Sequence, residues 1–118
     1  MYGVCVFDNP NDRVLKDHFF TSREMTIEMC LAVCRDKGLR YSGLQWQIEC
    51  YCGKKPAQEF QWAWFGNCNY KCAGNSNQVC GGSHAMSVYT TRGDHEANSD
   101  IGIKRAYSRS MTPHDSRS

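Results

Sequence analysis

Ile27, Cys30, Leu31 and Cys34 fall at i, i+3, i+4 and i+7, the spacing that gathers apolar side chains on one buried face of a helix. The signals around this run set its ends. Thr26 is a good N-cap, and Met25 and Cys30 occupy the N′ and N4 positions of a hydrophobic staple. Gly38 followed by Leu39 suits a Schellman ending, so the pattern predicts a helix from Ile27 to Lys37. Tyr41–Trp46 and Glu49–Cys52 read as two strands joined by a tight turn at Gln47-Ile48. Met1–Val6 and Ala85–Tyr89 are a first and a last strand, with Met86, Val88 and Tyr89 available for packing. Asp8-Asn9-Pro10-Asn11-Asp12 is a turn cluster, and 54–67 reads as irregular and rich in aromatic residues. One main helix over a small antiparallel sheet follows: an α+β fold.

The cysteines sharpen this picture. All eight lie between Cys5 and Cys80, as Cys5, Cys30-x3-Cys34, Cys50-x-Cys52, Cys68-x3-Cys72 and Cys80. Residues four apart share a helix face and residues two apart share a strand face. Cys30 and Cys34 are thus two prongs on the helix, matched by Cys50 and Cys52 on a strand. A helix clipped to a strand by two neighbouring disulfides is the simplest structure using both spacings. By number alone, 8 cysteines permit 105 pairings. Zinc is the competing reading. Cys30/Cys34 and Cys68/Cys72 fit its knuckles loosely, but Cys50-x-Cys52 is too tight. Disulfides fit better, and no metal or cofactor is expected.

Eight cysteines in 118 residues point to an oxidising compartment, so the expected location is extracellular: secreted, or the ectodomain of a larger protein. The start, Met1-Tyr2-Gly3, has no signal-peptide core, so either an export signal has been removed or the chain is a module of a longer protein. The net charge is +2 and is spread along the chain, which argues against a nucleic-acid partner. No apolar run approaches the ~20 residues of a membrane span. Composition divides the chain into a domain at 1–91 and a polar tail or linker at 92–118, where Tyr107 is the one aromatic residue. Arg92-Gly93-Asp94 in that tail spells an integrin-binding tripeptide, a match too short to carry a function.

Catalysis finds no support. His18, His84, His95 and His114 form no ligand spacing, no Ser/His/Asp set is suggested, and oxidised cysteines are not nucleophiles. Asp8, Asp12, Asp17, Glu24, Glu28 and Glu49 are scattered, as solvated or structural charges are. The chain reads as no enzyme.

Several blocks closely resemble the WSC domain: Met25-Thr26-Ile27-Glu28-Met29-Cys30-x3-Cys34, Gly43-Leu44-Gln45-Trp46, Glu49-Cys50-Tyr51-Cys52-Gly53, Cys68-Asn69-x2-Cys72-Ala73-Gly74-Asn75 and Cys80-Gly81-Gly82. The resemblance runs from about Tyr2 to Tyr89. It implies a small disulfide-rich, PAN/apple-like α+β fold with the pairings Cys5–Cys68, Cys30–Cys50, Cys34–Cys52 and Cys72–Cys80. It also implies a non-catalytic module that binds polysaccharide, such as β-glucan or another extracellular glycan. The alternative it carries is a protein-interaction module of a Kremen-like receptor ectodomain. There are departures: Val4 and Gln47 stand where glycines are usual, Gln45 replaces a glutamate and Trp46 a tyrosine. A positive φ at Gln47 would cost ~1–2 kcal/mol, which favours a different turn there.

A glycan is gripped by exposed aromatic platforms and planar polar side chains at their edge. Phe60, Trp62 and Trp64 alternate and would share one face of an extended stretch, with Phe65 and Trp46 enlarging it. Gln45 and Asn69, with Gln61, Asn67 and Asn75, could supply hydrogen bonds. Against this stands the core. Small disulfide domains have few aliphatic residues and often bury their aromatic ones, and alternation would put Trp46 on the same face as Leu44. The asparagines between Cys72 and Cys80 fit turn chemistry better than ligand contact.

Overall fold

The computed structural model describes residues 3–91. The expected tail at 92–118, its Arg92-Gly93-Asp94 and the first two residues of the expected opening strand lie outside them. Five antiparallel strands form one sheet in the order β1 (Val4–Phe7), β7 (Ala85–Thr90), β3 (Tyr41–Gln45), β4 (Glu49–Gly53) and β2 (His18–Thr21). Helix α1 (Ile27–Asp36) packs on the central strands β3 and β4. A two-stranded ribbon, β5 (Lys71–Cys72) and β6 (Asn75–Val79), stands apart from the sheet. The protein is a small disulfide-rich α+β domain.

The helix ends where its local signals place them. The Thr26 hydroxyl accepts from the Met29 N–H at 3.0 Å. At the other end the Leu39 N–H donates to the Cys34 carbonyl and the Gly38 N–H to the Arg35 carbonyl, both at 2.9 Å. That is the Schellman pair, and Gly38 supplies its positive φ of 73°. Met25 and Cys30 are both fully buried beneath the first turn.

Four disulfides join Cys5 to Cys68, Cys30 to Cys50, Cys34 to Cys52 and Cys72 to Cys80, the four pairs that the resemblance implies. The middle two are the helix-to-strand clip. They divide the interior by side of the sheet. Toward the helix, Ile27, Met25 and Leu44 close around the two bridges. On the other side Val4, Val6, Tyr41, Tyr51, Met86 and Val88 form a second core, capped by Val14, Leu15 and Phe60.

Three elements depart from expectation. β2 is an edge strand with half-buried His18 and Phe20 and exposed Phe19 and Thr21; it exists through its pairing with β4. The loop expected between Cys72 and Cys80 is a bulged hairpin. The β3–β4 turn does keep a positive φ: 57° at Trp46 and 73° at Gln47. The Ile48 N–H donates to the Trp46 carbonyl at 2.8 Å, making a γ-turn centred on Gln47. Trp46 thereby leaves the strand instead of continuing its alternation beside Leu44.

Candidate functional site

The β3–β4 turn is held in its strained form by neighbours. The Gln47 N–H donates to the Cys80 carbonyl and its own carbonyl accepts from the Ala73 N–H, each at 3.2 Å. Both ends of the small Cys72–Cys80 ring therefore grip the turn. The result is an outward Trp46, 44% exposed, whose indole meets the ring of Tyr70 edge-on at 5.4 Å. Tyr70 is fixed in turn, because its N–H donates to Gly81 at 2.9 Å and its carbonyl accepts from Cys80 at 2.8 Å.

The aromatic stretch behaves differently from a simple alternating strand. Its first part runs beside β1: the Phe7 N–H donates to Gln61 at 2.9 Å and the Ala63 N–H to Cys5 at 3.0 Å, with Trp62 opposite Val6. This pairing turns Phe60 and Trp62 inward. Phe60 is buried between Tyr41 and Trp62, with centroids at 6.3 and 5.6 Å and both contacts edge-to-face. Pairing stops at Ala63. A single 3-10 turn at Phe65–Asn67 then swings the chain away, and Trp64 emerges at 69% exposure. Its indole lies over Gly66, where any Cβ would overlap the ring. Phe65, half-buried, sits 6.0 Å from it with the two planes tilted by 32°.

The residues expected to form one surface are therefore sorted. Trp46, Trp64, Phe65 and Asn69 reach solvent wholly or in part, and Trp62 is half-buried against the core. Phe60 and Gln45 do not reach it. Phe60 fills the core, and Gln45 continues the inward row of Tyr41 and Gly43 on β3 and is fully buried. Neither amide atom of Gln45 has a hydrogen-bond partner among the described residues. The residue that sequence reasoning missed is Tyr70. Its one signal is an aromatic ring in a short segment tethered on both sides, by Cys68 and Cys72.

A family model for the WSC domain matches residues 2–82. The chain belongs to the WSC domain family. Among its relatives, a WSC domain-containing protein of Arthroderma benhamiae is 34% identical over 88 residues, covering 75% of this chain and 12% of that protein. Xylosyltransferase oxt of Drosophila melanogaster is 33% identical over 88 residues, covering 74% of this chain and 10% of that protein. Human Kremen protein 1 is 30% identical over 88 residues, 74% of this chain and 19% of that protein. The chain thus spans about a tenth of the first relatives' length (12% and 10%), so the WSC domain is a minor part of each.

Within this WSC domain most of the cysteines and carboxylates singled out above are already engaged. The sulfurs of Cys30, Cys34 and Cys50 lie within 4.8 Å of one another, but they belong to two neighbouring disulfides and offer no thiolate to a metal. The buried Asp8 carboxylate accepts from Arg13 at 2.6 Å and from the Val14 N–H at 2.8 Å. Asp12 pairs with Lys16, Asp17 accepts from the Lys54 N–H, and Glu28 accepts from the Gln78 amide. Glu49 accepts from the Tyr51 hydroxyl at 2.8 Å, and the Arg13 guanidinium lies 4.9 Å over the Tyr51 ring. Burial, and then the bond to Glu49, pushes the Tyr51 phenol well above its ordinary value.

Proposed function

We propose that this WSC domain is a non-catalytic, extracellular carbohydrate-binding module. It would recognise a polysaccharide, β-glucan-like or another extracellular glycan, by aromatic stacking. The observation that carries this reading is Trp64, the most exposed of the large apolar side chains at 69%. At that exposure most of the indole is free to meet a ligand. The negative face of an indole attracts the C–H face of a sugar ring. Phe65 widens the Trp64 platform, Trp46 on Tyr70 offers a second one, and the exposed amides of Asn67 and Asn69 lie on the chain between Phe65 and Tyr70. Four disulfides support the extracellular location, because such bridges persist in oxidising compartments.

The Kremen-like protein-interaction alternative is not favoured. The exposed large apolar residues Phe7 and Phe19 lie on the opposite edge strands β1 and β2, with Trp46 at the β3–β4 turn, which suits narrow platforms better than one broad apolar patch.

The test is a titration of the oxidised chain with soluble β-1,3-glucan and with chitin oligosaccharides, followed through the three indole NMR signals. Trp64 and Trp46 should shift with one glycan class, and Trp62 should shift less. A folded domain whose exposed indoles ignore every neutral glycan offered would remove the reading.

A further inference from the structure

A second surface lies at the other end of the sheet. Lys54 and Lys55 follow directly on β4, whose first residue, Glu49, borders the Trp46 turn. Four strand steps, roughly 13 Å, separate the two ends. Lys37 sits there too, at the C-terminus of α1, while the helix N-terminus at Ile27 is bonded to Gln78 of β6. Together with Lys16, Asp17 and His18 these lysines line an open groove of about 890 Å³.

The charges in this groove are unbalanced. Asp17 is the one carboxylate lining it, and that carboxylate accepts a backbone hydrogen bond from Lys54 at 2.8 Å. Lys16 is paired with Asp12 at 2.8 Å. Lys37, Lys54 and Lys55 have no carboxylate partner among the described residues. Three lysines from two separate segments thus line a shared space, in a chain whose net charge is only +2. The volume falls within the range of ligand sites, roughly 300–1,000 Å³.

From this we infer that the groove is a site for an acidic polysaccharide segment, bearing sulfate or carboxylate groups along its chain. Lysine ammoniums are compact, rotatable point charges that suit such groups without demanding a fixed geometry. The lining holds no Phe, Trp or Tyr. Its one aromatic ring is the half-buried His18 imidazole, 6.0 Å from the Phe20 ring, so the groove lacks the run of aromatic platforms on which a neutral sugar or successive nucleic-acid bases would stack. The inference concerns a surface separate from the aromatic one, and the two stand or fall independently.

The experiment measures binding of the full oxidised chain to a heparin-derived oligosaccharide and to an oligogalacturonate, at low and raised salt. Phosphatidylserine vesicles and single-stranded DNA serve as competing polyanions. At least one acidic oligosaccharide should bind, and binding should weaken as salt rises. The double variant Lys54→Gln/Lys55→Gln should lose roughly ten-fold in affinity. Lys71→Gln, at the exposed position of β5 and outside the groove, should stay within about two-fold. These three positions are exposed, so folding is not at stake and is confirmed by unchanged amide spectra. The inference is overturned if neither acidic oligosaccharide binds, if the double variant binds as the parent does, or if vesicles or DNA bind as tightly. The indole shifts with neutral glycans are a separate readout, so either reading can fail without the other.

Discussion

The indole of Trp46 stands edge-on to the ring of Tyr70, with centroids 5.4 Å apart and planes inclined at 65°. The positive edge of one ring meets the negative face of the other, an arrangement that adds about 0.5–1.5 kcal/mol to simple burial. Its use lies in order. Trp46 sits at the tip of a hairpin, where a large side chain would sample several rotamers. Tyr70 limits that freedom from one side, and the Gln47 bonds to Cys80 and Ala73 limit the backbone beneath it. A platform already ordered loses less entropy when a ligand arrives.

Trp64 and Phe60 should separate binding from stability. Trp64→Ala removes an exposed ring, so unfolding free energy should change by less than about 1 kcal/mol. The affinity for the recognised glycan should fall roughly ten-fold, as for loss of one stacking contact. Phe60→Ala opens a cavity between Tyr41 and Trp62 and should cost about 3–5 kcal/mol. Its folded fraction should bind as the parent does. Denaturant unfolding and glycan titration on both variants check this, and an inverted outcome would show that the binding face lies elsewhere.

Gln47→Gly should stabilise the domain. Gln47 holds a φ of 73°, which a residue with a Cβ adopts at a cost of about 1–2 kcal/mol. Glycine removes that strain but gives the unfolded chain more freedom, a loss of about 0.5–1 kcal/mol. The net gain should be roughly 0.5–1 kcal/mol. The two backbone bonds of residue 47 do not depend on its side chain and should persist. A higher denaturant midpoint with an unchanged slope is the expected result.

Much of this fold is legible because its signals are local. The cap at Thr26, the staple of Met25 and Cys30, and the turn at Gly38 all lie within a few residues of the helix they delimit. The strand pair β3–β4 shows its alternation because one side carries Cys50, Cys52 and Leu44 and the other Tyr41 and Tyr51. β2 is not legible, because a half-exposed edge strand owes its form to its partner β4 and not to its own pattern. The candidate site fails to show for the same reason. Alternation assigns Phe60, Trp62 and Trp64 to one face, and only the end of pairing with β1 at Ala63 decides which of them reaches solvent. Tyr70 is harder still, since its exposure follows from bonds to Gly81 and Cys80, ten or more residues away.

The two helix-to-strand bridges should prove strongly coupled. Cys30–Cys50 and Cys34–Cys52 span 20 and 18 residues, and each closes nearly the loop that the other closes. With one intact, the other adds only a small ring. Removing either as a pair of alanines should cost about 2 kcal/mol, whereas removing both should cost about 5 kcal/mol. The excess of about 1 kcal/mol is the coupling. Unfolding curves for Cys30→Ala/Cys50→Ala, Cys34→Ala/Cys52→Ala and the quadruple variant supply the full cycle. Strict additivity would show that the bridges act through native packing and not through the unfolded chain.

Tyr51 should make the domain sensitive to alkali. Its hydroxyl donates to Glu49 at 2.8 Å, and the ring contacts both the Arg13 guanidinium and Phe19. Burial first, and then the Glu49 bond, raises the pKa of this phenol in the folded protein above the ordinary value of 10.0. Below pH 10 the phenol is protonated in both states, and its stabilising contribution is complete. As the pH rises past that value, the unfolded chain releases the proton while the folded chain retains it. The stability of the fold then falls with pH until the folded form titrates as well. Tyr51→Phe keeps the ring and its neighbours but cannot ionise. At neutral pH it should lose about 1 kcal/mol with the hydrogen bond to Glu49. Above pH 10 its stability should decline less steeply than that of the parent, so the two curves converge. The other tyrosines are common to both proteins and cancel in the difference. Parallel curves from urea unfolding across this range would falsify the assignment of the alkaline loss to Tyr51.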